Sequence, residues 1–319
     1  MITRLLVLAA VSLGAYSSAA TLIAPDTYLI AGAATPNRQP DGNSVIIAAP
    51  QGLIVFDTGR HQDHSQAILD FARAQNQPVA AIINSHWHLD HVGGNPRLRN
   101  EFPDLKVYAS SAIDAARAGF LADYRVQLMT EIGRSAKDPG AQASLRTEVA
   151  LIDAGAALGP TDVVAKSARL SIAGRALQLN LETRAVTAGD VWVFDPKSRV
   201  LLAGDLVTLP APFFESACPP RWRDSLASLE KAPFVRLVPG HGAPMQRKEF
   251  DVYRKAFSQL LDCAAGDSKK SDCVDGWITD AAVLIPSSKD VSYARTLIDY
   301  YIDNYLRNTS ERIRKFCSG

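Results

Sequence analysis

The most constraining feature of this 319-residue chain is the run Ser85-His86-Trp87-His88-Leu89-Asp90-His91-Val92-Gly93-Gly94. Four groups able to hold a hard or borderline cation, His86, His88, Asp90 and His91, stand almost side by side, and three of the chain's six histidines are among them. The run follows Val79-Ala80-Ala81-Ile82-Ile83-Asn84, an apolar, β-branched stretch that reads as a buried strand. The donors therefore hang from the end of a strand, and a buried strand needs a sheet around it. Chance clustering in an exposed loop explains one histidine far better than four ordered donors. Imidazole and carboxylate at these spacings suit zinc, and an Asp beside a His suits a catalytic site with open coordination positions better than a closed structural one.

Other apolar runs end on chemistry in the same way. Gly52-Leu53-Ile54-Val55-Phe56 leads into Asp57-Thr58-Gly59, where Asp57 on spacing alone is a turn carboxylate. Arg199-Val200-Leu201-Leu202-Ala203-Gly204 ends on Asp205, which puts a carboxylate at the same sheet edge as the histidine loop. Val235-Arg236-Leu237-Val238 delivers His241 inside Pro239-Gly240-His241-Gly242. Further strands are expected at Thr27–Gly32, Ser44–Ala48, Lys106–Ala109, Leu170–Ile172, Ala176–Leu181 and Asp190–Phe194. Helical periodicity is expected after His61, from Pro96 to Phe102, and from Ala112 to Ala150 with a break at Lys137-Asp138-Pro139-Gly140. His61 and His64 read as solvated residues at a helix start, without a role beyond a place for His61 at a cleft mouth.

With 47% hydrophobic residues the chain can bury a large core in one domain or in a domain with an appendage. A formal net charge of +1 gives no sign of nucleic acid or a membrane surface as partner. Arg4, the apolar stretch Leu5–Leu13 and the small residues Ser18-Ala19-Ala20 read as a secretory signal peptide over residues 1–20, too short for a bilayer span of roughly 20 apolar residues. A periplasmic or secreted protein beginning near Thr21 is the expectation. Cys218, Cys263, Cys273 and Cys317 then suggest two disulfides, with three connectivities open. Cys263 and Cys273 bracket a polar loop and are the most natural pair, leaving Cys218 for Cys317; a cysteine as metal ligand is the alternative. Residues 246–319 show helical spacing over Gln246–Leu261 and Ser287–Ile313, with a polar loop at Gly266–Ser271, and are expected as a helical extension packed on the domain formed by 21–245.

The run His86-x-His88-x-Asp90-His91 resembles the signature of the metallo-β-lactamase superfamily of zinc hydrolases. Asp57, Gly204-Asp205 and Gly240-His241 resemble its other motifs, over roughly Thr27 to Met245. The resemblance implies an α/β fold, a four-layer αβ/βα sandwich of two mixed sheets flanked by helices. It also implies that Asp57 sits beside the metal loop without ligating, that His241 is the last ligand, and that Asp205 holds the second metal position and often bridges two metals. The distinctive segments Gly204–Phe213, Ala217-Cys218-Pro219, Arg221-Trp222 and Gly276-Trp277 are similar to the exported SoxH-related group of quinoprotein relay system zinc metallohydrolases.

One departure matters. Where the family carries Gly-His-Thr-x-Gly-Asp, this chain has Ala185-Val186-Thr187-Ala188-Gly189-Asp190, and valine cannot bind zinc. The first position then keeps only His86 and His88, one short of a three-ligand catalytic set, while Asp90, His91, Asp205 and His241 remain for the second. One tightly held zinc and a weak or vacant first position are expected. Glu182 is a poor substitute, since strand spacing puts it more than about 10 Å from position 186; the hydroxyl of Thr187 is the other candidate.

The implied reaction is hydrolysis of a small-molecule ester, thioester or amide by zinc-activated water, with Asp90 as ligand and orienting group and with His86 and His88 holding the nucleophile or oxyanion, one of them donating a proton. Trp87, Phe213, Phe214 and Trp222 are either walls for an apolar or flat substrate or packing residues of the core, and the residues alone do not choose between the two. The alternative is a non-hydrolytic exported metal-binding protein with a partner in a periplasmic quinoprotein or respiratory pathway.

Overall fold

The computed structural model describes residues 19–33, 38–135, 138–308 and 311–318. The leader expected at 1–20 lies almost wholly outside them, as does Lys137 of the expected helix break. Strands β1 (Thr21–Ala24), β2 (Thr27–Ile30), β3 (Ser44–Ala49), β4 (Gly52–Phe56), β5 (Val79–Ile83), β6 (Lys106–Ala109) and β7 (Asp162–Val163) form one sheet in that order. Pairing is antiparallel as far as β4 and parallel from β4 to β7. The second sheet runs β12 (Arg236–His241), β11 (Val200–Thr208), β10 (Asp190–Asp195), β9 (Arg175–Glu182) and β8 (Ala168–Ile172), with β11 and β12 its parallel pair.

Strand alternation builds the layers. In β3, Val45 and Ile47 meet Leu177, Leu179, Val193 and Leu202 of the other sheet, whereas Ile46 turns to the outer helices. In β5, Ala81 and Ile83 face inward and Ile82 outward. The outward set packs against Ala67, Ile68, Leu69 and Ala72 of α1 (Gln62–Ala74) and Leu98 of α3 (Asn95–Glu101). Beyond the second sheet, α7 (Pro219–Glu230), α8 (Arg247–Ala265), α9 (Lys270–Asp280) and α10 (Ser288–Tyr301) bury Trp222, Tyr253, Phe257, Trp277 and Tyr301 in one cluster with Leu201, Ala203 and Val207 of β11. Helices thus cover both outer faces of two sheets packed face to face, the expected four-layer sandwich, and the helices after Met245 share its core.

Two expectations shift. The loop at Gly266–Ser271 ends early, because Cys273, Val274 and Trp277 give the following residues an apolar face and Lys270 already begins α9. The helical stretch after Ser111 divides into α4 (Ala112–Ala118), α5 (Phe120–Arg134) and α6 (Pro139–Asp153), the last capped by the Asp138 carboxylate accepting from Ala141 N at 3.0 Å. These three helices pack over Trp87, Leu89 and Val92, roofing the donor loop. The cysteines pair as Cys263–Cys273 and Cys218–Cys317, with Cα separations of 5.5 and 5.4 Å, so none is left to bind metal. No helix among the described residues is long and apolar enough to cross a membrane.

Candidate metal centre

Three strands bring the donors together. His86 and His88 leave β5, Asp90 and His91 lie on the single-turn helix α2 (Leu89–Val92), Asp205 sits within β11 and His241 closes β12. His241 Nε2 is 2.9 Å from Asp90 Oδ2 and 3.7 Å from Asp205 Oδ1; His91 Nε2 is 3.2 Å from Asp205 Oδ1, and His86 Nε2 is 3.7 Å from Asp205 Oδ2. Two glycines make this convergence possible. Gly204 has φ +53, open to glycine at little cost, and a Cβ there would fall 2.4 Å from the Ser85 Cβ. A Cβ on Gly240 would fall 2.0 Å from Asp205 Oδ1, on top of a donor. Asn43 ties the His241 turn down, its Nδ2 donating to the Pro239 and Gly242 carbonyls at 2.9 Å each.

Proton accounting fixes the imidazoles. Asp57, wholly buried, accepts from His91 Nδ1 at 2.8 Å, from Ser85 N at 2.7 Å and from Ser85 Oγ at 2.7 Å. Since the one proton of Ser85 Oγ goes to that carboxylate, the 2.9 Å contact with His86 Nδ1 has the ring as donor. In the neutral form, the one that ligates metal, both rings are thereby left with a bare Nε2 facing inward. His86 Nε2, His91 Nε2 and Asp205 Oδ1 are buried without any hydrogen-bond partner. Such orphans are costly in a protein interior unless something else satisfies them. A divalent cation does so, and the donors fall into two groups, His86, His88 and Asp205, and Asp90, His91 and His241, each with its ligand atoms within 4.8 Å of one another. The nitrogen and carboxylate set fits zinc.

The electrostatics agree. Burial works against the charged form of His91, yet Asp205, Asp90 and Asp57 together raise its pKa well above the ordinary value. Burial likewise opposes ionisation of Asp90, but His91, His241 and Arg60 hold its carboxyl well below the usual range. The cluster is a pocket of negative charge seeking a cation. On the other side, burial lowers His88 to about 4, so that imidazole is neutral, the form that ligates metal.

Comparison with known proteins agrees with this geometry. The family model of the metallo-β-lactamase superfamily matches residues 38–241, well over half the chain. The chain belongs to the metallo-β-lactamase superfamily. It is 26% identical over 222 residues to a linear primary-alkylsulfatase from Pseudomonas sp., covering 64% of this chain and 42% of that protein. It is 36% identical over 74 residues to a hydroxyacylglutathione hydrolase from Trichormus variabilis, covering 20% of this chain and 29% of that protein. The chain therefore spans less than half the length of either curated relative. Among solved structures, it resembles the stereoselective inverting sec-alkylsulfatase from Pseudomonas sp. with TM-score 0.60 and 20% identity, over 91% of this chain and 50% of that one. It also resembles a metallo-β-lactamase from Pontibacter korlensis with TM-score 0.54 and 18% identity, over 75% and 98% of the two chains. These relatives are hydrolases of the same superfamily, and the structural likenesses show the shared fold.

Within this metallo-β-lactamase fold all six expected donors come together. Asp205 stands between the two groups, in keeping with the bridging place that the resemblance implies, because its two oxygens point to different histidines; His86 and His88 therefore have a third donor despite Val186. Val186 is packed in the apolar cluster behind the site. Neither suggested substitute reaches the centre: Glu182 accepts from Trp192 Nε1 and Ser225 Oγ, and the Thr187 hydroxyl donates to Asp190. Of the aromatic candidates, Phe213 is half-buried with its ring 5.2 Å from that of His88; Trp87 lies edge-on to the same ring at 4.5 Å but is itself buried under the roof of α4 to α6, and Phe214 and Trp222 are wholly buried core residues.

His64 is not solvated as expected. It is buried, with Nε2 2.8 Å from Ser44 Oγ, because α1 packs its first turn inward. His61 Nδ1 lies 2.9 Å from Asp41 Oδ2, at the turn that carries Arg60. Arg60 was not singled out from sequence, yet it lies 3.6 Å from Asp90 Oδ1 and also binds Glu148 of α6, tying the roof to the ligand loop. Its place directly after Asp57-Thr58-Gly59 was the available signal. Asn43 and Ser216 carried none.

Proposed function

We propose that this chain is an exported zinc-dependent hydrolase acting on a small ester, thioester, amide or related electrophile with an apolar part. The observation that supports it best is the pair of donor groups meeting at Asp205 beside the half-buried ring of Phe213. His86, His88 and Asp205 would hold zinc at one position, and Asp90, His91 and His241 with Asp205 at the other. Asp205 is shared, so the first position is the poorer and the second keeps its ion more tightly. When bound, zinc supplies Lewis acidity and lowers the pKa of a coordinated water towards neutrality.

The chain's own residues supply orientation. Asp57 and Ser85 hold His91 and His86, and Arg60 fixes the outer oxygen of Asp90. His86 donates its Nδ1–H in a hydrogen bond to Ser85 Oγ, so ligation through Nε2, not proton donation to substrate, is its part. Trp87 and Phe213 border His88 and would exclude water from an apolar substrate segment. Two disulfides match an oxidising compartment, in keeping with a periplasmic or secreted protein.

The test is turnover of a chromogenic cephalosporin, a glutathione thioester, an aryl ester and, because the relatives include alkylsulfatases, an alkyl sulfate. Hydrolysis that a chelator abolishes and zinc restores is the expected result. Flat responses from a protein that binds zinc tightly would instead favour the non-hydrolytic metal-binding protein of a quinoprotein or respiratory pathway.

A further inference from the structure

The loop after β11 reaches back to the donor cluster. Ser216 Oγ lies 2.8 Å from His88 Nε2 and 3.0 Å from the carbonyl oxygen of Val186. A carbonyl only accepts, so the serine proton goes to Val186, and the contact with His88 has the imidazole as donor. His88 then carries its proton on Nε2, and its lone pair sits on Nδ1. Ser216 occupies one ring nitrogen from outside, so it is not itself a ligand; what it determines is which nitrogen is free.

The surrounding structure holds this arrangement firmly. Cys218 N donates to the Ala185 carbonyl at 2.8 Å, so residues 216–218 are stitched to residues 185–186 at two points. Phe214 is wholly buried in the core, and Cys218 is bonded to Cys317, anchoring both ends of the loop. Phe213 and Trp87 meet the His88 ring edge-on at 5.2 and 4.5 Å and limit its rotation.

We propose that Ser216, backed by the Val186 carbonyl, is the positioning residue of the first metal position, holding His88 with Nδ1 free so that His86, His88 and Asp205 bind an ion with no histidine at position 186. Val186 contributes through its backbone where its side chain is inert. Because the relay matters only if an ion binds, this rests on the zinc-hydrolase reading above. Outer hydrogen-bond partners of this kind typically change metal affinity by about 10- to 100-fold when removed.

The experiment is stepwise titration of cobalt(II), and of zinc in competition with a chromophoric chelator, into the full-length wild type, Ser216→Ala and Ser216→Thr, with thermal unfolding as a control for folding. In Ser216→Ala the weaker binding step is expected to weaken about 10- to 100-fold and its cobalt absorption to change, while the tighter step is unmoved. Ser216→Thr, which keeps the hydroxyl, is expected to restore the weaker step. A Ser216→Ala protein with both steps at wild-type strength would overturn the positioning role and leave the metal centre standing. Loss of both steps together, unrescued by threonine, would overturn it too, by showing a general structural role. A wild type that binds neither ion would sink the zinc-hydrolase reading itself.

Discussion

Asp57 Oδ2 accepts a hydrogen bond from His91 Nδ1 at 2.8 Å, in a setting where both side chains are wholly buried. The same carboxylate takes the Ser85 hydroxyl that orients His86, so one residue that binds no ion governs two that are placed to do so. Asp57→Asn keeps the shape but turns half of this acceptor into a donor facing donors. Zinc affinity, measured by chelator competition, is expected to fall about 10- to 100-fold; affinity equal to wild type would mean that His91 is oriented by something else.

The shared position of Asp205 separates the ligands by consequence. Purified protein is expected to retain near one equivalent of zinc after dialysis and to take up a second only in excess. His241→Ala and Asp205→Asn are expected to empty the retained position, while His88→Ala leaves it filled and lowers turnover. Elemental analysis decides: two equivalents that survive dialysis, or equal loss in all three variants, would refute the unequal sites.

Asp41 gives an acid-side signature. Its buried carboxylate accepts from Arg60 N at 2.7 Å, His61 N at 2.9 Å and His61 Nδ1 at 2.9 Å. Burial raises its pKa, but the hydrogen bond and charge of His61 and the charge of His64 outweigh this and bring it down from 3.8 to about 2. A carboxyl depressed in the folded state stabilises the fold above the unfolded pKa, and that contribution is lost as pH falls through the folded value. Asp41→Asn is therefore expected to cost about 2 kcal/mol near neutrality in urea unfolding, a deficit that shrinks between about pH 4 and pH 2. A deficit independent of pH would refute the linkage.

The two disulfides should differ in weight. Cys263 and Cys273 are 10 residues apart, whereas Cys218 and Cys317 close a loop of 99. Loop-closure entropy predicts roughly 3 kcal/mol for the short bridge and nearer 5 kcal/mol for the long one. The Cys218→Ser/Cys317→Ser protein is expected to unfold at lower urea concentration than Cys263→Ser/Cys273→Ser, and the reverse order would show that native-state effects dominate.

The C-terminal helices offer a separate test. Tyr253 hydroxyl accepts from Thr208 N at 3.2 Å and Trp277 Nε1 donates to Pro210 O at 3.0 Å, so α8 and α9 brace the strand and loop that follow Asp205. Removing residues 246–319 would strip Tyr253, Phe257 and Trp277 from the core, each worth about 3 to 5 kcal/mol when truncated. Such a protein is expected to be insoluble; a soluble, zinc-binding 21–245 fragment would show that the extension is dispensable.

Local rules carried far in this chain. Val-Ala-Ala-Ile-Ile before a dense donor run marks a strand and a ligand loop, because apolar β-branched residues specify the strand and clustered imidazoles have few other uses. The same rules placed His241 at a strand end, and Asp205 after a buried apolar run, although β11 continues past it to Thr208. They failed at His64, since helical spacing does not say which side of α1 the sheet will cover, and they left Trp222 and Phe214 open between cleft wall and core, since an aromatic near a motif in sequence need not line its cleft.

The amino-acid order by itself determined the strands, the donors they deliver and the cysteine count, because those depend on periodicity and residue chemistry within a few positions. Only the tertiary structure decided which histidines the two Asp205 oxygens face, that Arg60 leans on Asp90, and that Ser216 meets His88 across 128 residues. Such contacts arise where loops from two sheets close on one edge, and their geometry follows from how the sheets pack, which no local pattern encodes.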